Sequence, residues 1–196
     1  MVILNSPISK KDVVKLKAGD TVHLNGIIVT ARDVVHKYLI ERRPEKYKKL
    51  LKNGVLYHCG PVVDRVGKKW IIAAAGPTTS MRQEPYTAEV LKEYGVSGII
   101  GKGGMGDRTL KAFKKHKAVY FHAIGGLAQV LAECVVDVKD VFMLKEFGSP
   151  EAMWVLDVRD FPVTITMDSH GNSLHKTMYE KTEKVLDKLI KDGTRE

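Results

Sequence analysis

"VSGIIGKGGMGDRTLKAFKKHKAVYFHAIGG", residues 96–126, decides the fold. A short apolar run ends in a glycine loop, "DRTLKAFKKHK" reads as a helix, and "AVYFHAIGG" is a second apolar run that again ends in glycine. Strand, helix and strand in that order place two strands parallel with a helix crossing between them. The alternation continues on both sides, since "YTAEVLKEYG" (86–95) and "LAQVLAECV" (127–135) also read as helices. The chain is therefore expected to be α/β with a mixed sheet, parallel in its middle section and with hairpin-like strands at both ends.

Further out, "SKKDVVKLK" (9–17) has a Ser9 cap, Asp12 three residues on and Gly19 as a stop, which predicts a short helix. "DTVHLNGIIVT" (20–30) is β-branched and alternating, and predicts a strand or a bent hairpin around Asn25 and Gly26. In "ARDVVHKYLIERR" (31–43) Val34, Val35, Leu39 and Ile40 recur at helical spacing from about Asp33. "GVLYHCGPVVDRVGKKWIIAAAG" (54–76) reads as a strand, a turn at Gly67 and a second, fully buried strand. "AMWVLDVRDF" (152–161) and "VTITMD" (163–168) are two strand candidates before a C-terminal helix from about Lys176. With no repeat, low-complexity segment or linker, one domain over residues 1–196 is expected.

With 44% hydrophobic residues in 196, the chain can fill one core. Lys and Arg number 32 against 23 Asp and Glu, a net charge of +9, which fits either an anionic partner or solvated helix faces. The runs "ERRPEKYKKLLK" (41–52), "KAFKKHK" (111–117) and "EKTEKVLDKLIKD" (180–192) hold many of the lysines, mixed with acids at i,i+4 spacing as on solvated faces. A nucleic-acid-binding reading lacks a helix-turn-helix, a zinc finger or an RNP aromatic pair, and the seven tyrosines are scattered. Cys59 and Cys134 stand far apart without a CxxC partner, whereas a zinc or iron–sulfur site built by one chain needs three or four clustered ligands. Free thiols suit the cytosol. The apolar run at the N-terminus is too short for a signal peptide and no 18-residue apolar stretch occurs, so a soluble, cytoplasmic chain is expected.

Three segments share one geometry, a strand end running into a loop or helix: "VTARD" (29–33), "AAAGPTTSMR" (73–82) and "GIIGKGGMGD" (98–107). Ligands settle at such ends in open α/β sheets. Each carries one cation, Arg32, Arg82 or Lys102, and three converging cations suit a small ligand with two carboxylates. The middle segment adds the hydroxyls of Thr78, Thr79 and Ser80 on a Gly76–Pro77 turn. Plainer readings stand beside this one. Arg32 can pair with Asp33 or Glu41, Thr78 and Thr79 are ordinary turn and cap residues, and "GKGGMG" lacks the GxxxxGK[ST] phosphate-loop spacing.

Taken in order, "GDTVHLNGIIVTARDVVH", "HCGPVV", "AAAGPTTSMR", "GIIGKGGM", "AIGG" and "DFPVTITMDSHGN" resemble the β subunit of class I fumarate hydratase and L-tartrate dehydratase. The same unit forms the C-terminal domain of single-chain class I fumarases. The resemblance runs from about residue 6 to residue 175. It implies a swivelling β/β/α three-layer domain in an iron–sulfur hydro-lyase. Such an enzyme interconverts (S)-malate and fumarate or, in the alternative, dehydrates tartrate to oxaloacetate. It implies a [4Fe–4S] cluster ligated by the α subunit, with no metal ligand from this chain, and assembly as a homodimer or a dimer of αβ pairs. By the same resemblance Thr78 is the acid/base, Arg32, Arg82 and Lys102 hold the substrate carboxylates, and His36 and Thr79 stand behind them. Ala31 occupies a place where the family often has glycine.

Overall fold

The computed structural model describes residues 2–193. In chain order the elements are β1 (Val2–Ser6), α1 (Lys10–Val13), β2 (Thr21–Thr30), α2 (Asp33–Arg42), α3 (Lys48–Leu51), β3 (Val55–Tyr57), β4 (Val62–Val66) and β5 (Lys69–Ala74). There follow α4 (Glu84–Tyr94), β6 (Gly98–Gly101), α5 (Asp107–His116), β7 (Val119–His122), α6 (Ala128–Glu133), β8 (Val135–Phe142), α7 (Leu144–Phe147), β9 (Met153–Met167) and α8 (Leu174–Gly193). The main sheet runs β1-β2-β3-β6-β7-β9-β8, and β2 also pairs with β9, so β2, β3, β6, β7 and β9 close into a ring. Strands β2, β3, β6 and β7 are parallel, and β9 runs antiparallel to its neighbours.

Closure explains the apolar pattern. Val22, Leu24, Ile28, Val55, Tyr57, Ile100 and Phe121 point inward and pack on Trp154, Leu156, Phe161 and Ile165 of β9. The alternate residues, Val29, Leu56, Ile99 and Tyr120, face outward into a second cluster with Val35 and Leu39 of α2, Val90 and Leu91 of α4 and Phe113 of α5. Strands buried on both faces read as continuous apolar runs, which is why "VSGII" and "AVYF" carry no alternation.

The structure corrects several sequence expectations. Residues 21–30 bear out the strand of the two alternatives, whereas the hairpin is absent. The irregularity near Asn25 belongs to the partner, since Leu24 faces Phe161 and Gly26 faces Val158, so two steps on β2 match three on β9. Asp160 takes up the extra residue with φ 50°, and its N–H donates to Asn25 Oδ1 at 2.8 Å. The two strand candidates at 152–168 are consequently one 15-residue strand, with this bulge shifting the inward set from even to odd positions. Pro162 sits where β9 has β2 on one side and no strand on the other, because β8 pairing ends at Val158 and β7 pairing begins at Thr164.

Residues 54–76 hold three strands rather than two, and β5 is not fully buried: it lies on a separate two-stranded ribbon with β4, and only Ile72 of its six residues is buried. Two strands have no counterpart in the expectations. β1 lies parallel to β2, so the N-terminal end is no hairpin, and β8 follows a helix that stops at Glu133. The C-terminal helix begins at Leu174. Ala31 is buried and has no left-handed φ, so its turn does not call for glycine.

Two polar contacts fix the ends of this frame. Glu84 at the start of α4 caps α5 from outside, accepting from Gly106 N at 2.9 Å and from Thr109 N and Oγ1 at 3.1 and 2.7 Å. Asp168, just past β9, is buried and accepts from Ala18 N, His170 N and Asn172 N, each at 3.0 Å, and from Asn172 Nδ2 at 2.9 Å. Burial alone would push this carboxyl up, but those hydrogen bonds outweigh it and hold it below the usual carboxylate range. Its stabilising effect is present above the unfolded carboxyl's pKa and is lost as pH falls through the lower, folded one. Asp168→Asn should cost about 1–3 kcal/mol in urea unfolding at pH 7, since donors are left facing a poorer acceptor, with a smaller penalty at pH 3.

Candidate active site

The parallel strands finish together. Thr30 faces Tyr57, Tyr57 faces Ile100, and Gly101 faces His122. Onto this edge the chain from β5 to α4 folds back. Cys59 bridges to Pro77 and Thr79 to Lys102, so residues 77–79 lie as a short extended piece between the continuations of β3 and β6. Thr78 N–H donates to the His58 carbonyl at 2.7 Å, and Ser80 N–H donates to the Lys102 carbonyl at 3.1 Å. Lys102 N–H points back at the Thr78 carbonyl at 3.4 Å. The "GPTTS" turn is therefore held on both sides by main chain. Pro77 leaves it no freedom in φ.

On this support Arg82 reaches back one turn and its Nη2 donates to Thr78 Oγ1 at 3.0 Å. Hydroxyl and guanidinium, four residues apart in sequence, form the contact for which a charged partner and a rigid turn are both needed. Lys102 is half-buried, and its Nζ has no hydrogen-bond or ion-pair partner among the described residues. Its chain runs beside the loop after β7, where a Cβ added at Gly125 would lie 3.3 Å from Lys102 Cδ. Arg32 follows β2 at the start of α2, and its guanidinium lies against Gly60, where an added Cβ would meet Nη1 at 2.8 Å. Gly60, Cys59, Pro77, Thr78 and Lys102 thus link all three cations along one edge of the ring.

Arg32 has a partner that the sequence did not suggest. Its Nε stands 3.1 Å from Glu151 Oε1, an ion pair in distance though without the alignment of a donated N–H. Asp33 and Glu41 are not its partners, and Glu41 lies 3.8 Å from Lys37 instead. Glu151 is placed by long-range contacts: Thr30 Oγ1 donates to the Ala152 carbonyl at 3.0 Å and accepts from Trp154 N at 2.9 Å, so the start of β9 is tied to the end of β2. Burial pushes the Glu151 carboxyl up, and Arg32 opposes that shift. Nothing in "GSPEAMW" signals this pairing from sequence alone.

Under the edge lies a layer of buried imidazoles. His36 is fully buried, with Nδ1 2.9 Å from the Arg32 carbonyl, and its ring meets His58 edge-on at 5.0 Å. His58 Nδ1 lies 2.8 Å from Ser80 Oγ. His36 is thus a support behind Arg32, as a helix-face position four residues on would suggest. Thr79, by contrast, is exposed and its side chain caps nothing, so only its main chain, through the Lys102 bridge, belongs to the arrangement. Gln83, turned so that its nitrogen faces the Thr79 and Ser80 carbonyls at 3.1 and 3.0 Å, offers its oxygen to Asp33 N–H at 3.3 Å. That ties α2 to the turn. Sequence reading missed His58, Gln83 and Glu151, each an unremarkable residue until folding places it.

Neither cysteine offers a thiolate for a metal. Burial raises Cys59 to about 12, and Cys134 is pushed up by burial and by Asp160. Among the described residues no group of three or more His, Cys, Asp or Glu side chains is placed to hold a metal ion, and no helix is long and apolar enough to cross a membrane. A cleft of about 500 Å³ between β5, α6 and β8 lies away from the hydroxyl and cations.

Residues 1–178 match the family described as Fumarase C-terminus. The chain belongs to that family. It is 49% identical over 191 residues to a protein from Geobacillus stearothermophilus named fumarate hydratase class I. That match takes in 96% of this chain and 36% of the relative, so the chain spans about a third of the relative's length. It is 44% identical over 186 residues to a protein from Methanocaldococcus jannaschii named L(+)-tartrate dehydratase subunit beta, covering 93% of this chain and 95% of that one. A protein of the same name from Escherichia coli K12 is 37% identical over 193 residues, covering 95% and 94%. Membership bears out the resemblance read from the ordered motifs.

Burial lowers His36 to about 4 and drives His58 well below the usual imidazole range. An unfolded chain takes up protons on both rings near pH 6.5, whereas the fold refuses them until lower pH. Stability is therefore full above pH 6.5 and falls as pH drops toward 4, by at most roughly 3 kcal/mol for His36. Urea unfolding at pH 7.0 and pH 4.5 should show that loss shrinking in His36→Leu, whatever the variant's stability at pH 7.

Proposed function

We propose that this chain is the β subunit of a class I iron–sulfur hydro-lyase, a single swivelling β/β/α domain that dehydrates (S)-malate to fumarate reversibly, in the cytoplasm. Thr78 acts as the acid/base, Arg32, Arg82 and Lys102 bind the substrate carboxylates, and His36 lies behind Arg32. The observation that carries the reading is the 3.0 Å contact from Arg82 Nη2 to Thr78 Oγ1 on a turn fixed by main-chain bonds on both sides. Family membership and the names of the relatives support the reaction class.

The chemistry asks for that contact. Removing a C–H proton beside a carboxylate builds negative charge on a dianionic substrate, so cations that grip the carboxylates stabilise the transition state more than the ground state. A threonine hydroxyl becomes a base only if its alkoxide is favoured. One cation at about 4 Å and an effective dielectric near 20 contributes about 4 kcal/mol, or some three pKa units. A single arginine is thus insufficient, and convergence of a second cation, Lys102, is part of the proposal. Fixed main-chain bonds on the turn limit the reorganisation that proton transfer would otherwise require. This chain's donors do not fit the family's cluster, because it has two free thiols and, among the described residues, no group of three or more His, Cys, Asp or Glu side chains placed to hold a metal ion. The cluster is assigned to an α subunit, and none of the roles of this chain's residues passes through it. Assembly as a homodimer or as a dimer of αβ pairs completes the proposal.

A second reading, L-tartrate dehydratase β subunit, is favoured by relatives of that name matched over nearly their whole length. The test is anaerobic reconstitution with an α chain, followed by assays of malate, fumarate and tartrate. Turnover of tartrate without malate selects the second reading, and turnover of none overturns both. In the active complex Thr78→Ala should lower kcat by about 10²–10⁴-fold with KM little changed. Lys102→Ala and Arg82→Ala should lower kcat and raise KM together. Near-native turnover in the Thr78 variant removes it as acid/base.

A further inference from the structure

We propose that His58, Ser80 and Tyr120 form a buried positioning unit that sets Thr78 relative to Lys102 for proton transfer; this rests on the roles given to those two residues above. Tyr120 on β7 donates its hydroxyl to Ser80 Oγ at 2.8 Å. Ser80 Oγ in turn lies 2.8 Å from His58 Nδ1, while His58 Nε2 is buried without a partner among the described residues. Tyr120, Ser80 and His58 thus form one continuous hydrogen-bonded chain.

Each contact joins a different part of the site. Ser80 sits midway between Thr78 and Arg82, and its N–H donates to the Lys102 carbonyl at 3.1 Å. His58 holds the Thr78 N–H through its carbonyl at 2.7 Å. All three side chains of the unit are fully buried. Gly101, the residue before Lys102, makes room for them. A Cβ there would stand 1.9 Å from Ser80 Oγ, 2.9 Å from Tyr120 OH and 3.2 Å from His58 Nδ1. Its φ is not left-handed, so the glycine is required for space and not for backbone conformation. Apolar side chains of the same shape would fill this interior at nearly the same stability. Three hydrogen-bonded polar groups instead fix the distance between two loops.

The test uses the reconstituted αβ complex, with malate and with malate deuterated at C3. Tyr120→Phe and Ser80→Ala should each lower kcat by about 10²-fold, with KM changed less than about threefold, and the isotope effect on kcat should rise as proton transfer slows. The double variant should fall no further than the worse single one, because the two act together. His58→Asn, whose side-chain amide replaces Nδ1 as the partner of Ser80, should keep kcat within about threefold of wild type, and His58→Leu should not. If Tyr120→Phe and Ser80→Ala keep wild-type kcat and isotope effect while Thr78→Ala is inactive, this proposal fails and the assignment of Thr78 stands. It fails equally if their kcat losses only track lost folded protein by Tm and by α co-purification. A wild-type complex without hydro-lyase turnover overturns the underlying reading, and this proposal with it.

Discussion

One constraint governs the rest of the molecule: a short turn must sit as an extra extended piece between the ends of two parallel strands. Residues 77–80 do so by giving Thr78 N–H to the His58 carbonyl and Ser80 N–H to the Lys102 carbonyl. A buried segment with unpaired amides would cost a few kcal/mol for each group left unsatisfied, so the turn is stable only where both neighbours expose main chain. Closing the sheet through β2 and β9 brings the ends of β2, β3, β6 and β7 to one rim and creates that opportunity. The placement of the Thr78 hydroxyl is thus a consequence of sheet topology before it is a matter of side-chain chemistry.

Electrostatics then divides the rim. Arg82 is exposed and turned toward Thr78, Lys102 is half-buried without a partner among the described residues, and Arg32 is matched by Glu151. Below them the imidazoles of His36 and His58 are kept neutral by burial, so they add no further positive charge at neutral pH. The positive charge of the rim therefore comes from the two arginines and Lys102 and not from the imidazoles below.

Much of this was legible in the sequence, for identifiable reasons. The βαβ unit at 96–126 is local, and each strand end there is punctuated by glycine. Arg32, Arg82 and Lys102 could be grouped because each follows such an end. What escaped depends on contacts between distant segments. Strand β9 was divided in two because Pro162 and the shift in periodicity at Arg159 and Asp160 look like a break, whereas they record one bulge and one unpaired flank. Strand β1 is recognisable only from its parallel partner, 20 residues away in register. Glu151 and His58 carry no local signal, since their neighbours at the rim come from β2 and from the "GPTTS" turn.

The pairing of Arg32 with Glu151 bears on how such a rim tolerates being empty. Under the proposed assignment three cations share one rim, and without a ligand they would repel one another. A carboxylate pushed up by burial and restrained by Arg32 supplies one compensating charge inside the protein. An arginine presents five donors in a planar fork, so an edge engaged by Glu151 still leaves others free for a second carboxylate. Under the proposed assignment, Arg32 is oriented before substrate arrives and needs little rearrangement to receive it. Arg82 achieves the same end through Thr78 Oγ1. Each arginine is thus aimed by an oxygen of the protein itself, and the site's geometry precedes its ligand.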